Sequence, residues 1–298
     1  MTGFYIITAV FILIIAYSII ENRYIKTVCY TVQLSRERIV RIKQQSDAKG
    51  KTRSGSAISI VQLSDLHNCR YGEQNRRLLD GIERCKPDVI LLTGDIINKY
   101  KPVPEDIYNL FEQLVKLCPC VYSLGNHELK ERKKNPEGFS EYIKNIKKCG
   151  IIVSDNEIHR IKIKDTPLLF ASYSSDLVQY RKNVCKKNVS ADWTEIPKTN
   201  GNEVAILLSH DPELTERYIA TTYSIIFSGH LHGGIVRIPG WRGTISTRFV
   251  LFPGYDGGCY SLDDKHVLVV SRGLGSHTIK FRLFNRPELV HTVIELEE

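Results

Sequence analysis

Charge is missing where a soluble chain would carry it. Met1 to Ile20 holds no Asp, Glu, Lys or Arg, and Phe4 to Ile20 is almost wholly apolar. Twenty helical residues span about 30 Å, the thickness of a bilayer's hydrocarbon core. A cleaved signal peptide would need a basic start and a small-residue cleavage site, and neither is evident. Residues 1–21 are therefore read as a retained transmembrane anchor. Zinc-finger spacing is also missing. Eight scattered cysteines include no CxxC pair, and Cys118-Pro119-Cys120 is the only close pair. A chain of 298 residues needs no disulfide staples, so free thiols in a reducing compartment are expected. Internal repeats and low-complexity segments are absent, which excludes solenoid and fibrous classes.

One-sided charge is also scarce outside a single segment. Residues 22–56 hold nine Lys or Arg against Glu37 and Asp47, a net +7 of the chain's +8. The remaining body, 57–298, is near +2. That argues against a duplex-binding surface, so no nucleic-acid partner is expected. Residues 22–56 read as a basic juxtamembrane segment that favours an anionic membrane lipid surface. Its position also favours a cytoplasmic catalytic domain, since Lys and Arg are retained on that side. The plainer alternative is a solvated charged linker.

From Ala57 onward the periodicity is regular. Ile58–Leu63, Val89–Thr93 and Val121–Leu124 read as strands. Asn75–Cys85, Glu105–Leu117 and Phe139–Lys148 read as helices between and after them. This is a βαβ series. The second half is richer in strands: a hairpin at Glu157–Lys164 and Pro167–Ser172, then Val204–Leu208, Tyr223–Ser228, Ile235–Ile238, Val267–Ser271 and Leu289–Leu296. Thr27–Leu34 alternates as a strand, and Gln44–Ser56 reads as a polar loop. The expected fold class is α/β: a two-sheet sandwich flanked by helices, with one transmembrane helix ahead of it. The catalytic domain is expected over 57–298.

Metal-friendly residues end several strands. They are Ser64-Asp65-Leu66-His67, Gly94-Asp95, Gly125-Asn126-His127-Glu128, Ser209-His210-Asp211 and Gly229-His230-Leu231-His232. The carboxyl ends of strands are where α/β sheets gather functional groups. Asp65 and His67, two apart in an extended segment, would point the same way, and so would His230 and His232. Each motif has a bland reading. Asp65 alone could be a turn or helix cap, His210 alone structural, and Gly125-Asn126 alone a hairpin turn. Five such motifs in one chain are hard to obtain by accident. Arg70, Tyr71, Asn75 and Arg237 are divided between substrate contact and structure, and Trp241 reads as packing.

In this order the motifs D-x-H, G-D, G-N-H-E, a later His and G-H-x-H resemble those of the calcineurin-like metallophosphoesterases, over roughly residues 58–298. The resemblance implies two divalent metal ions. The first would take Asp65, His67, Asp95 and His232, and the second Asp95, Asn126, His210 and His230. Asp95 would bridge cations about 3.5–4 Å apart. Mixed imidazole and carboxylate ligands suit Mn, Fe or Zn. It implies hydrolysis of a phosphate-ester substrate, with His127 outside the ligand set as the catalytic group that protonates the leaving oxygen or stabilises the charged transition state. Glu128 would orient a neighbour. Asn98 departs from the pattern, standing where many members carry Asp. Arg272-Gly273-Leu274-Gly275 and Arg282 to Glu288, together with the anchor, look like a bacterial membrane-associated phosphodiesterase subgroup that includes UDP-2,3-diacylglucosamine pyrophosphatases. A lipid-linked substrate at the membrane surface is the leading expectation. A nuclease or nucleotide phosphodiesterase is the alternative, with a non-catalytic scaffold behind it.

Overall fold

The computed structural model describes residues 1–35, 39–47, 57–99, 101–174, 177–180, 203–239, 242–245, 251–276 and 281–297. The first element is α1 (Thr2–Glu21), one helix long and apolar enough to cross a membrane. Its side chains are largely exposed, but Ser18 and Glu21 at its end are buried.

Strands β1 (Lys26–Leu34), β2 (Val40–Asp47) and β3 (Ile58–Leu63) follow. Next come α2 (Arg76–Cys85), β4 (Val89–Thr93), α3 (Glu105–Leu117), β5 (Cys120–Ser123), α4 (Asn126–Lys134), α5 (Pro136–Lys148) and β6 (Ile152–Ser154). The second half contains β7 (Ile158–Ile163), β8 (Thr166–Tyr173), β9 (Val204–Ser209), the short α6 (Thr215–Tyr218) and β10 (Ile225–Ser228). It ends with β11 (Val236–Arg237), β12 (Gly243–Ile245), β13 (Gly258–Ser261), β14 (Val267–Val270) and β15 (Glu288–Leu296).

Two sheets form, ordered β2-β1-β15-β3-β4-β5-β6 and β13-β14-β10-β9-β8-β7, with β11 and β12 as a separate ribbon. Alternation explains the layering, because successive strand residues face opposite sides. Ile58, Ile60, Val89, Leu91 and Val121 from the first sheet meet Phe170, Ile206, Leu208, Phe227 and Val269 from the second. Truncating Phe170 or Phe227 to Ala there would cost roughly 3–5 kcal/mol. Val61, Leu63, Ile90 and Leu92 face outward onto α2, α3 and α5, which bury Leu78, Ile82, Phe111, Leu114 and Ile146. The other face of the second sheet buries Leu207, Ile226 and Leu268 against Leu214 and Tyr218.

The fold class is the one the periodicity predicts. The segment 22–56 differs from expectation. It does not lie wholly ahead of the domain: β1 runs parallel to the C-terminal β15, and β2 runs antiparallel to β1. Val28, Tyr30 and Val32 supply the inter-sheet core, so burial of that face places the segment in the sheet. Gln44–Asp47, read as loop, belongs to β2. Arg36, Arg38, Lys49, Lys51, Arg53 and Trp241 lie outside the described residues. The helix α4 has no counterpart in the periodicity. It carries no apolar stripe, and only its first turn is buried, at Asn126, His127, Glu128 and Leu129.

Candidate metal centre

Both sheets deliver their strand ends to one place. β3, β4 and β5 run parallel and lead into Asp65, Asp95 and Asn126. β9 and β10 run parallel in the second sheet and lead into His210 and His230. Gln62 Nε2 donates to Ser228 O at 2.8 Å and ties the sheets together at this rim.

The backbone there is not extended. Asp65 (φ 52°), His67 (φ 49°), Asp95 (φ 53°), His230 (φ 75°) and His232 (φ 53°) all occupy the left-handed region. Such conformations cost of order 1–3 kcal/mol each and persist where the surroundings over-determine them. Here Asp65 N donates to Gly94 O and His67 N to Asp95 O, both at 3.0 Å. His230 N donates to both Asp65 carboxylate oxygens at 3.1 Å. Strand alternation is therefore not what aims Asp65 and His67 inward; left-handed backbone at each of the two does so. Glycine permits the crowding. A Cβ on Gly94 (φ 83°) would lie 2.6 Å from Gly125 Cα, and one on Gly125 would lie 3.0 Å from Asp95 Cγ.

Asp95 sits at the centre. Its Oδ2 lies 3.3 Å from His210 Nε2 and 3.9 Å from both His67 Nε2 and His127 Nε2. Its Oδ1 accepts from His127 N at 2.7 Å. Asp65 Oδ1 lies 3.3 Å from His232 Nε2, and Ser64 Oγ donates to Asp65 Oδ2 at 2.6 Å. Candidate ligand atoms of Asp65, His67 and His232 all lie within 4.8 Å of one another. The same holds for Asp95, His210 and His230, and for His67, Asp95 and His127. The Asn126 amide, oriented to suit its neighbours, places Nδ2 2.7 Å from His230 Nδ1 and Oδ1 3.1 Å from Lys130 Nζ. Every residue expected at the site is thus in one cluster.

Hydrogen-bond partners distinguish the histidines. His210 Nδ1 lies 2.7 Å from Thr93 O, which can only accept. Nδ1 therefore carries a ring proton, and Nε2 faces the cluster 3.3 Å from Asp95 Oδ2, where the carboxylates favour a second proton that a bound cation would replace. His232 Nδ1 stands 3.2 Å from Gly275 O, and its Nε2 faces His67 Nε2 at 3.1 Å. Metal-binding imidazoles are held this way, by a carbonyl on the far nitrogen. His127 is reversed: Lys99 N donates to its Nδ1 at 3.0 Å. A neutral His127 then carries its proton on Nε2, facing Asp95.

Electrostatics follow the same division. Burial works against an ionised Asp95, but the His127, His210 and His67 imidazoles outweigh it and hold the carboxyl well below the usual range. Burial also opposes a charged His210, yet Asp95 and Asp65 push it up to about 10. His232 is lowered, chiefly by burial. Two buried carboxylates and several imidazole lone pairs form a donor set that fits divalent cations, and the unpartnered Nε2 of His210 points at the position such an ion would take.

Further residues support the cluster, Glu128 of the G-N-H-E motif first among them. Glu128, fully buried, accepts from Asp95 N (2.8 Å), Gly125 N (2.9 Å), Ile97 N (3.1 Å) and Tyr122 Oη (2.7 Å). Burial, then the Asp95 charge, push its carboxyl up to about 7. It orients Asp95 through the backbone. Asn285 Nδ2 donates to His232 O at 2.8 Å, and Arg282 donates to Gly275 O at 2.6 Å. Tyr180 meets the His230 ring edge-on at 4.9 Å. The residues left undivided by sequence are structural in their contacts. Arg70 pairs with Asp106 at 3.1 Å, the Tyr71 hydroxyl donates to Leu274 O, and Asn75 Oδ1 accepts from Tyr71 N at 3.0 Å. Arg237 pairs with Asp256 at 2.9 Å.

A sandwich whose strand ends converge on a His/Asp cluster defines a metal-dependent hydrolase. Residues 58–234 match the calcineurin-like phosphoesterase family, and the chain belongs to it. It is 25% identical to an uncharacterised metallophosphoesterase of Bacillus subtilis, YkoQ, over 82% of this chain and 86% of that one. It is 26% identical to the phosphodiesterase YaeI of Escherichia coli, over 82% and 83% of the two chains. It is 22% identical to the UDP-2,3-diacylglucosamine pyrophosphatase LpxG of Chlamydia trachomatis, over 78% and 82%. Among solved structures, a dimetal phosphatase from Danio rerio is similar over 73% of this chain and 88% of the other, with 12% identity and a TM-score of 0.42. The protein is a metallophosphoesterase of a dimetal-dependent family.

Proposed function

We propose that this chain hydrolyses a phosphodiester or pyrophosphate bond at a membrane surface, on a substrate of the lipid-linked or nucleotide-sugar-lipid class. The observation that carries the reading is the position of Asp95 Oδ2, central to the imidazoles of His67, His127 and His210. A carboxylate there is placed to be shared by two cations. Asp65, His67, Asp95 and His232 would hold one ion, and Asp95, Asn126, His210 and His230 the other, with Mn, Fe or Zn suited to the donors. When bound, such a pair supplies Lewis acidity and a nucleophile at neutral pH. His127 keeps a proton on Nε2 at the edge of the cluster and delivers it to the leaving oxygen. Glu128 holds the Asp95 loop in register while the charge at phosphorus grows.

Membrane placement rests on the length and apolarity of α1, and substrate class on the likeness to a pyrophosphatase of a diacylated nucleotide sugar. The catalytic domain is assigned to the cytoplasmic side from the basic residues that follow α1. The test is a substrate panel with Mn²⁺-loaded full-length protein and matched Asp95→Ala and His127→Ala proteins. It contains nucleotide-sugar lipids, glycerophosphodiesters, an aryl phosphodiester and oligonucleotides. Preferential turnover of the lipid pyrophosphates is expected. Preference for oligonucleotides would replace this reading with the nuclease, and an inert wild type with every metal would end it. Protease digestion of the domain from outside intact cells would overturn the cytoplasmic placement.

A further inference from the structure

The end of α1 is bonded into the body of the domain. Ser18 Oγ accepts from Arg282 N at 2.9 Å, Tyr17 packs on Phe284 with ring centroids 5.3 Å apart, and Glu21 Oε1 lies 3.8 Å from Arg286 Nε. From this contact a small array of chain segments extends sideways. Leu283 N donates to Ile235 O at 3.2 Å, Ile235 N to Ile245 O at 2.7 Å, and Phe252 N to Thr244 O at 2.9 Å. Residues 283–284, β11, β12 and 251–252 therefore lie side by side, an array about 15 Å wide at ordinary strand spacing.

Its apolar side chains are unusually exposed. Phe284 is 46% exposed, Ile238 40%, Leu251 66% and Phe252 46%. Phe252 (φ 50°) and Phe284 (φ 54°) also occupy left-handed backbone, an outlier for a bulky residue. Exposed Arg242, whose carbonyl accepts from Ile238 N, and exposed Arg286, two residues after Phe284, adjoin the array. Apolar and aromatic side chains interleaved with Arg are the pattern of a surface seated in lipid headgroups.

We infer that the β11–β12 ribbon, with Leu251, Phe252 and Phe284, is a second membrane contact that lies in the headgroup layer of the bilayer crossed by α1. The inference rests on the anchor reading of α1. The contact adjoins the cluster, because the ribbon begins four residues after His232 and Asn285 Nδ2 bonds both His232 O and Gly234 O. The His232 edge of the centre then lies next to the lipid surface.

Full-length protein in phosphatidylethanolamine–phosphatidylglycerol vesicles that contain a photoactivatable acyl-chain phospholipid tests this. Peptides from 236–252 and 281–286 should be labelled several-fold above those of α5, which packs at the opposite edge of the seven-stranded sheet. Label in α1 with none above background in the ribbon overturns the inference and leaves the anchor standing. Label in the ribbon but not α1 removes the anchor and with it the inference as stated, and label in neither removes both. A Phe252→Asn, Phe284→Asn protein should lose most ribbon label with an unchanged or raised Tm, since Asn tolerates left-handed backbone. Undiminished ribbon label in that protein overturns the inference.

Discussion

The two halves of the metal centre are supported in different ways. The Asp95 half is local. Glu128 gathers the amides of Asp95, Ile97 and Gly125, and Thr93 O fixes His210. Of those six residues, Asp95, Ile97 and Gly125 belong to the turns after β4 and β5, Thr93 ends β4 and Glu128 opens α4. The His232 half is assembled from afar. His232 leans on Gly275 and Asn285, Arg282 spans Arg272 O, Gly273 O and Gly275 O, and Ser18 in α1 holds Arg282. The local half is as rigid as the strand ends that carry it. The distant half depends on the C-terminal loops and on the seating of a helix expected in the membrane. That difference makes each half separately breakable.

The largest effect is expected where the halves meet. Asp95→Ala should lower turnover of an aryl phosphodiester by roughly 10³-fold or more and remove both ions, because the charge at phosphorus loses its stabilisers. Metal analysis of the purified variant checks this; two retained ions would show that Asp95 does not bridge. His127→Gln should cost about 10²-fold to 10³-fold in kcat with metal content intact. A loss of one ion in that variant would instead make His127 a ligand.

Smaller losses should separate the supports. Glu128→Gln puts an amide donor where four donors converge, and a roughly 10-fold to 100-fold loss of metal affinity is expected, centred on the Asp95 half. Arg282→Met should weaken only the ion beside His232, about 10-fold. Titration with Mn²⁺ distinguishes the two patterns; equal weakening of both ions by Arg282→Met would erase the contrast between the halves. Ser18→Ala is the mildest change. Loss of one hydrogen bond should cost about 1 kcal/mol of stability, read as a small fall in Tm of the full chain in detergent.

The supports also mark what was legible in the sequence. Helices α2 and α3 and strand β4 follow from apolar spacing, and their observed bounds lie within a residue of expectation. Helix α4 was not legible, because its stability comes from the burial of His127, Glu128 and Leu129 and not from a repeating stripe. The pairing of β1 with β15 was not legible either, since no local signal joins residues more than 250 positions apart. Arg282 and Asn285 stood inside a stretch that narrowed the resemblance, yet nothing in their spacing gave them partners.

The sequence alone determined which residues could compose the centre, since donor chemistry belongs to the side chains and their strand-end positions follow from periodicity. It determined the two-sheet class and one membrane-length apolar run for the same reason. Only the tertiary structure decided how the histidines differ. His127 and His210 are both imidazoles beside Asp95, but a backbone amide faces one Nδ1 and a carbonyl faces the other. A tautomer is set by neighbours that folding brings together, and the order of letters does not contain it.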